Sequence, residues 1–210
     1  RARYQHKNST NTYPLADEPA VLAWFAQMAA LELHVPQWRF DEQGRRQNPN
    51  RFVLDLDPGP GAGLKECVQV AFLCREVLEG MDLEVIPVTS GAKGIHLYAQ
   101  LDGRTSSHDA VAVARELARS IEADRPDLVV SNMRKQLRGN KVLIDWSQNN
   151  AAKTTICPYS LRGRARPMVA TPRTWTELGQ RTLGQLSFRQ VLRRIADGVD
   201  PMSGFRHGGE

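Results

Sequence analysis

From residue 51 to residue 146 the spacing of apolar side chains changes in a fixed order, and that order limits the fold more than any other feature of the chain. Alternation with a period of two reads as a strand, and recurrence every three to four residues reads as a helix. On that basis strands are predicted over 51–57, 83–89, 94–100 and 141–146, with helices over 63–79 and 107–123. Pro58-Gly59 stops the first strand, and Ser90-Gly91-Ala92-Lys93-Gly94 turns the second back into the third as a hairpin.

The resulting β-α-β-β-α-β order is the split arrangement of ferredoxin-like and RNA-recognition-motif-like α+β domains. In that fold the usual spatial order of strands is fourth, first, third, second. The 51–57 strand would then be central, between the strand with His96 and the strand with Asp145. Phe52, Leu54 and Leu56 point one way, and Val53, Asp55 and Asp57 the other. Ile95, Leu97 and Ala99 oppose Gly94, His96 and Tyr98; Val142, Ile144 and Trp146 oppose Lys141, Leu143 and Asp145. One face is then apolar beneath both helices. The other gathers Asp55, Asp57, Asp145, His96, Lys141 and Tyr98.

Three acids on neighbouring strands would repel one another and raise at least one pKa. Side chains two apart on a strand lie about 6.5–7 Å apart, and such carboxylates can share a pair of divalent cations about 3.5–4 Å apart. Hard ions answer to oxygen ligands, so Mn²⁺ or Mg²⁺ is expected, two per site. Taken alone, Asp55-Leu56-Asp57 is better read as a solvated strand end before a turn. Asp145 tips the balance, as the lone acid among nine bases between Ser131 and Arg173. So basic a stretch suits nucleic acid or nucleotide phosphates.

The 210 residues are read as one domain, 1–210, with its core at 51–146. The net charge of +5 is modest. Cys67, Cys74 and Cys157 have no spacing suited to zinc, and the first two read as core thiols in a reducing, intracellular setting. No stretch approaches the ~20 apolar residues that cross a bilayer. A polar lead-in over 1–16 precedes an apolar helix, capped at Asp17-Glu18-Pro19 and running to about Leu33. A strand around Val35–Phe40, a polar connection at 41–50, a strand near Thr154–Ser160 and an amphipathic helix at Ser187–Ile195 complete the outline, and the Gly-rich end from Met202 to Glu210 reads as frayed or as a linker. The four tryptophans are assigned to packing. The chain begins at Arg1 rather than Met, so a segment upstream is expected.

The second constellation is Ser90-Gly91-Ala92-Lys93-Gly94-Ile95-His96. A glycine turn lets backbone N–H groups approach an anion, and Ser90, Lys93 and His96 add donors. It is not a Walker P-loop, and a plain hairpin is its alternative; the nearby carboxylates favour triphosphate. Gln148, Asn149 and Asn150 could bond a sugar or phosphate, or make a turn. Arg162-Gly163-Arg164-Ala165-Arg166 could clamp phosphate, and Arg134, Lys135 and Arg138 form a candidate DNA-backbone loop. His34 alone is ambiguous.

Taken together, Asp55-Leu56-Asp57-Pro58-Gly59, Val88 to Tyr98, and Asp145-Trp146-Ser147-Gln148-Asn149 resemble motifs of the archaeo-eukaryotic primase superfamily, more narrowly the polymerase domain of bacterial ATP-dependent DNA ligase D. His34 to Arg39 and Pro158 to Arg164 are similar as well, and the likeness runs from about His6 to Ile195. The resemblance implies a template-directed polymerase that fills gaps and extends DNA ends in non-homologous end joining, using Mn²⁺ readily and tending to prefer ribonucleotides. It implies Asp55, Asp57 and Asp145 as catalytic metal ligands. His34, Ser90, Lys93, Gln148 and Arg162 would contact the nucleotide, His96 would support the phosphate pocket, and Lys135 and Arg138 would meet DNA. Implied partners are primer-template DNA ends, NTP or dNTP, Ku, and ligase and nuclease domains, in the bacterial cytoplasm at the nucleoid and without a membrane. Family members usually carry an upstream segment that binds a 5′-phosphate, and most of it is expected to be missing here. A stand-alone polymerase, a non-catalytic DNA-end-binding module or ligase fragment, and a metal-dependent nuclease are the alternatives. An RNA-recognition module fits less well, because charges stand where stacking aromatics would be expected.

Overall fold

The computed structural model describes residues 2–3 and 10–205. The expected lead-in over 1–16 lies partly outside them, and the end of the Gly-rich tail, 206–210, wholly so.

Before the core come a two-residue pairing, β1 (Ala2–Arg3) with β2 (Thr10–Asn11), then α1 (Pro19–Gln27), β3 (His34–Val35), β4 (Trp38–Phe40) and β5 (Arg46–Pro49). The core holds β6 (Arg51–Pro58), α2 (Leu64–Glu79), β7 (Val85–Thr89), β8 (Ile95–Gln100), α3 (Ser107–Asp124), β9 (Val129–Val130) and β10 (Val142–Asp145). After it follow β11 (Thr155–Ile156), β12 (Leu161–Arg162), β13 (Met168–Val169), β14 (Thr171–Pro172), α4 (Trp175–Leu178), β15 (Leu186–Ser187) and α5 (Phe188–Ala196).

The main sheet has the order β14-β7-β8-β6-β10-β9. Its inner four strands follow the expected order, with β6 central, and β9 and β14 extend the edges. Leu54 and Leu56 of β6, Ile95 and Leu97 of β8, and Val142 and Ile144 of β10 pack under Val70, Cys74 and Leu78 of α2 and Ala114, Leu117 and Ile121 of α3. Each such aliphatic side chain contributes about 1.5–3 kcal/mol on burial, which fixes which way every strand faces. Burial also raises the Cys67 and Cys74 thiols above their ordinary range, so they act as core side chains. Both helices begin on local signals. Glu66 Oε2 accepts the Gly63 N–H at 2.7 Å, and Ser106 Oγ accepts the Asp109 N–H at 3.2 Å.

The other sheet face is less polar than alternation implies. Val53, Val88, Tyr98, Ile156 and Ala170 form a second, small apolar cluster there, with Phe205 packed on it. Tyr98 therefore belongs to the packing: its hydroxyl donates to the Ile156 carbonyl at 3.0 Å.

Other boundaries shift for visible reasons. The first helix ends at Gln27 instead of near Leu33, because Ala29 adopts φ 54°, and none of its residues is buried. Its N-cap is Glu18, without a side-chain capping bond, and Trp24 is 52% exposed, so the packing role expected of it fails. The strand expected at 35–40 splits around Pro36-Gln37. That expected near 154–160 shrinks to β11, since Pro158 and Tyr159 (φ 67°) turn the chain. Of the apolar residues of α5, Val191 is buried while Leu192 and Ile195 stand exposed. Among the described residues no helix is long and apolar enough to cross a membrane.

Candidate active site

Asp55 and Asp57 face away from the helices because Leu54 and Leu56, their strand neighbours, are wholly buried beneath them. Two partners flank Asp55 across the sheet. On β8 it is registered with His96, whose Nε2 lies 3.2 Å from Asp55 Oδ1; on β10 it is registered with Asp145. The carboxylate holds one edge of the buried His96 ring, and among the described residues the ring's Nδ1 has no hydrogen-bond partner.

Asp57 stands at the exposed end of the strand, yet the protein around it still desolvates its carboxylate. Desolvation first and the Asp55 charge second push its pKa from 3.8 up to about 6; Asp145 adds to the rise, while His96 and Arg138 oppose it.

Asp145 is held differently. It ends β10 and caps a short 3-10 turn that starts at Trp146, where the sequence predicts one more strand residue. Its Oδ1 accepts the Ser147 N–H at 2.9 Å, and its Oδ2 accepts Gln148 Nε2 at 3.0 Å with Lys153 Nζ 3.8 Å away. Lys153 also donates to the Ser147 hydroxyl. Asn149 of the same turn reaches back to β6: its Oδ1 accepts the Val53 N–H at 2.9 Å, and its Nδ2 donates to the Val53 carbonyl at 2.7 Å.

Among the described residues no three His, Cys, Asp or Glu side chains stand grouped so as to hold a metal ion. The donor chemistry nonetheless fits a hard divalent cation. The three carboxylates offer oxygen alone, and a bound cation would offset both the desolvation that chiefly lifts Asp57 and the Asp55 and Asp145 charges that add to it. Asp55 and Asp57 would hold it, and Asp145 would join by sharing oxygens now taken by its own turn.

Next to the acids opens a cavity of about 310 Å³, lined by His34, Asp55, Asp57, Ser90, Lys93, His96, Gln148 and Arg162, all of them predicted site residues, together with Thr154, Thr155 and Arg164. Asp145 lies beside this lining and not in it. Lys135 and Arg138 are in the loop before β10, also outside it. Lys135 is exposed, whereas Arg138 Nη2 donates to the Met133 carbonyl at 2.8 Å and so braces its own loop.

The Ser90–Gly94 turn differs from the anion cradle that glycine suggests. Ser90 Oγ accepts the N–H groups of Ala92 and Gly94 at 3.3 and 3.2 Å, and Gln185 Oε1 accepts that of Gly91 at 2.7 Å. These backbone donors are used within the protein, so the turn presents its side chains: the Lys93 ammonium and the Ser90 hydroxyl proton. Gly91 has φ 70° with Arg162 Cγ close against it, and at Gly94 a β-carbon would lie 2.1 Å from the Leu56 carbonyl. Both positions need glycine.

Sequence reasoning missed Thr154, Thr155, Gln185 and Lys153. Thr155 accepts from Gln37 Nε2 at 3.0 Å and donates to Gln148 Oε1 at 3.4 Å. Gln185 and Thr155 work partly through partners about 90 to 120 residues away, Gly91 and Gln37, whereas Lys153 acts on Ser147 and Asp145 of the nearby turn.

A sequence model described as "LigD, primase-polymerase domain" matches residues 1–202. The multifunctional non-homologous end joining protein LigD of Mycobacterium bovis is 51% identical over 201 residues, covering 93% of this chain and 26% of that protein. The bifunctional non-homologous end joining protein LigD of Bacillus subtilis is 28% identical over 172 residues, 81% of this chain and 28% of that protein. A solved polymerase domain from Mycobacterium tuberculosis ligase D, in complex with DNA, aligns with a TM-score of 0.91 at 48% identity, covering 96% of this chain and 72% of the other. The chain thus spans about a quarter of the length of the curated mycobacterial relatives. It belongs to the family of LigD primase-polymerase domains.

Proposed function

We propose that this domain is a nucleotidyltransferase that adds nucleotides to DNA 3′ ends on a template, in gap filling and non-homologous end joining. The observation that carries the reading is the placement of Asp55 between Asp145 and His96, beside a cavity edged by Lys93 and Arg162. Asp55, Asp57 and Asp145 are the proposed metal ligands, for two Mn²⁺ or Mg²⁺. Bound there, the ions would lower the pKa of a primer hydroxyl and neutralise charge on the leaving pyrophosphate. The remaining chemistry belongs to the chain. Lys93, Arg162 and Arg164 supply positive charge for a polyphosphate, Ser90 offers a hydroxyl donor, and His96 orients Asp55. Gln148 and His34 would complete the nucleotide walls, and exposed Lys135 would meet a DNA phosphate. Family likeness adds Ku and the ligase and nuclease domains of LigD as proposed partners, and the bacterial cytoplasm as the setting.

Primer extension on a gapped duplex with Mn²⁺ and labelled nucleotide tests the proposal. Wild type should extend, Lys93→Ala should bind nucleotide about tenfold less tightly, and Asp55→Ala should not extend. Extension by Asp55→Ala at the wild-type rate refutes the mechanism. A second reading, a DNA-end-binding module without catalysis, draws on the engagement of Asp145 by Ser147 and Gln148. It predicts DNA binding with no extension by wild type.

A further inference from the structure

Glu32 has no role in the chemistry above, yet it touches both walls of the cavity. Its Oε2 lies 3.3 Å from His34 Nε2, while its Oε1 accepts the Gly163 N–H at 2.7 Å and lies 3.8 Å from Arg162 Nε. Backbone pairing already ties these segments together: β3 pairs with β11, and the Leu33 N–H donates to Ser160 Oγ at 2.8 Å. That lacing stops short of the loop after β12, which carries Arg164 into the cavity lining. Glu32 supplies the missing link. The Gly163 N–H, followed by His34 and Arg162, holds the Glu32 carboxyl below its ordinary range, so it works as an anion.

A carboxylate beside a pocket for a polyphosphate opposes the ligand's own charge. Here the charge is directed at protein donors instead. A carboxylate can only accept, so His34 Nε2 must donate to it, and in the neutral ring the lone pair is left on Nδ1. We propose that Glu32 is a positioning residue for the nucleotide pocket, joining the His34 wall to the Arg162–Arg164 wall and fixing His34 as the Nε2–H tautomer. The inference rests on the nucleotide reading of that pocket.

The test uses Glu32→Ala and Glu32→Gln, with ATP binding in Mg²⁺ buffer, primer-extension kinetics and the ring ¹⁵N signals of His34. In Glu32→Ala the ATP affinity should fall about five- to tenfold and the nucleotide KM rise in step, with kcat held within about twofold. Glu32→Gln can still accept from Gly163, so it should recover part of the affinity. Its amide N–H₂ would face His34 Nε2, so the ring proton should move to Nδ1. Circular dichroism checks that both variants stay folded, and the near-isosteric Gln variant keeps the test open should Ala unfold. ATP affinity unchanged in both variants, or a wild-type His34 that carries a proton at Nδ1 and none at Nε2, overturns the inference. A wild type that neither binds ATP nor extends a primer instead overturns the reading of the pocket itself.

Discussion

Asp55 and Asp145 sit directly opposite each other in the antiparallel register of β6 and β10, although 90 residues separate them in the chain. The carboxylate of one leans on His96, and that of the other on its own turn. Strand pairing therefore sets where the acids stand, and their hydrogen-bond partners set how each is aimed.

Asp145→Asn keeps the shape of the side chain and removes its charge. It should reduce metal-dependent nucleotide addition by at least about 100-fold while the thermal unfolding midpoint changes little. Primer extension beside a circular dichroism melt measures both.

Asp57 gives a pH signature. Its folded pKa of about 6 exceeds the ordinary 3.8, so the folded state holds that proton more tightly than the unfolded state does. Ionising it costs stability progressively as pH rises from about 4 to about 6, and the cost is complete above that window. Asp57→Asn removes the cost. In chelator, the variant should melt higher than wild type at pH 7.5, and the gap should close as pH falls towards 4.5. Melts across that range would contradict this if the gap widened on acidification.

Gly94→Ala places a methyl group against the carbonyl of Leu56. Rearranging two central strands to admit it should destabilise the domain by about 1–3 kcal/mol. Urea unfolding gives the value, and an unchanged midpoint would show that the hairpin yields.

Lys135 and Arg138 should separate in DNA binding. Exposed Lys135 contributes charge alone, so Lys135→Ala should lower the salt dependence of duplex binding by about one counterion. Arg138→Ala also frees the Met133 carbonyl and should loosen the loop. Fluorescence anisotropy at several salt concentrations, with proteolysis of the loop, tells these effects apart.

The sheet order and the facing of β6, β8 and β10 were legible because alternation is local and three strands agreed on it. The same alternation put Asp55, Asp57 and His96 on one face, whereas Ser90 and Lys93 were read from the glycine turn between the second and third strands. Tyr98 was misjudged as part of a polar face, since its neighbours Val53 and Ile156 come from different segments. Trp24 was assigned to packing but stands exposed, because composition does not reveal whether another element covers a helix. The glycine turn implied free N–H groups, and only the fold brings Gln185 over to occupy one of them.

Asn149 acts, in effect, as a proofreader of alignment. Its amide meets both polar groups of one residue on the acid-bearing strand, and a one-residue slip would break both bonds at once. A chain that closed one step out would turn its carboxylates into oil and strand that amide in the interior. Such an error undoes itself, so the geometry needed for chemistry is guarded by a side chain that takes no part in it.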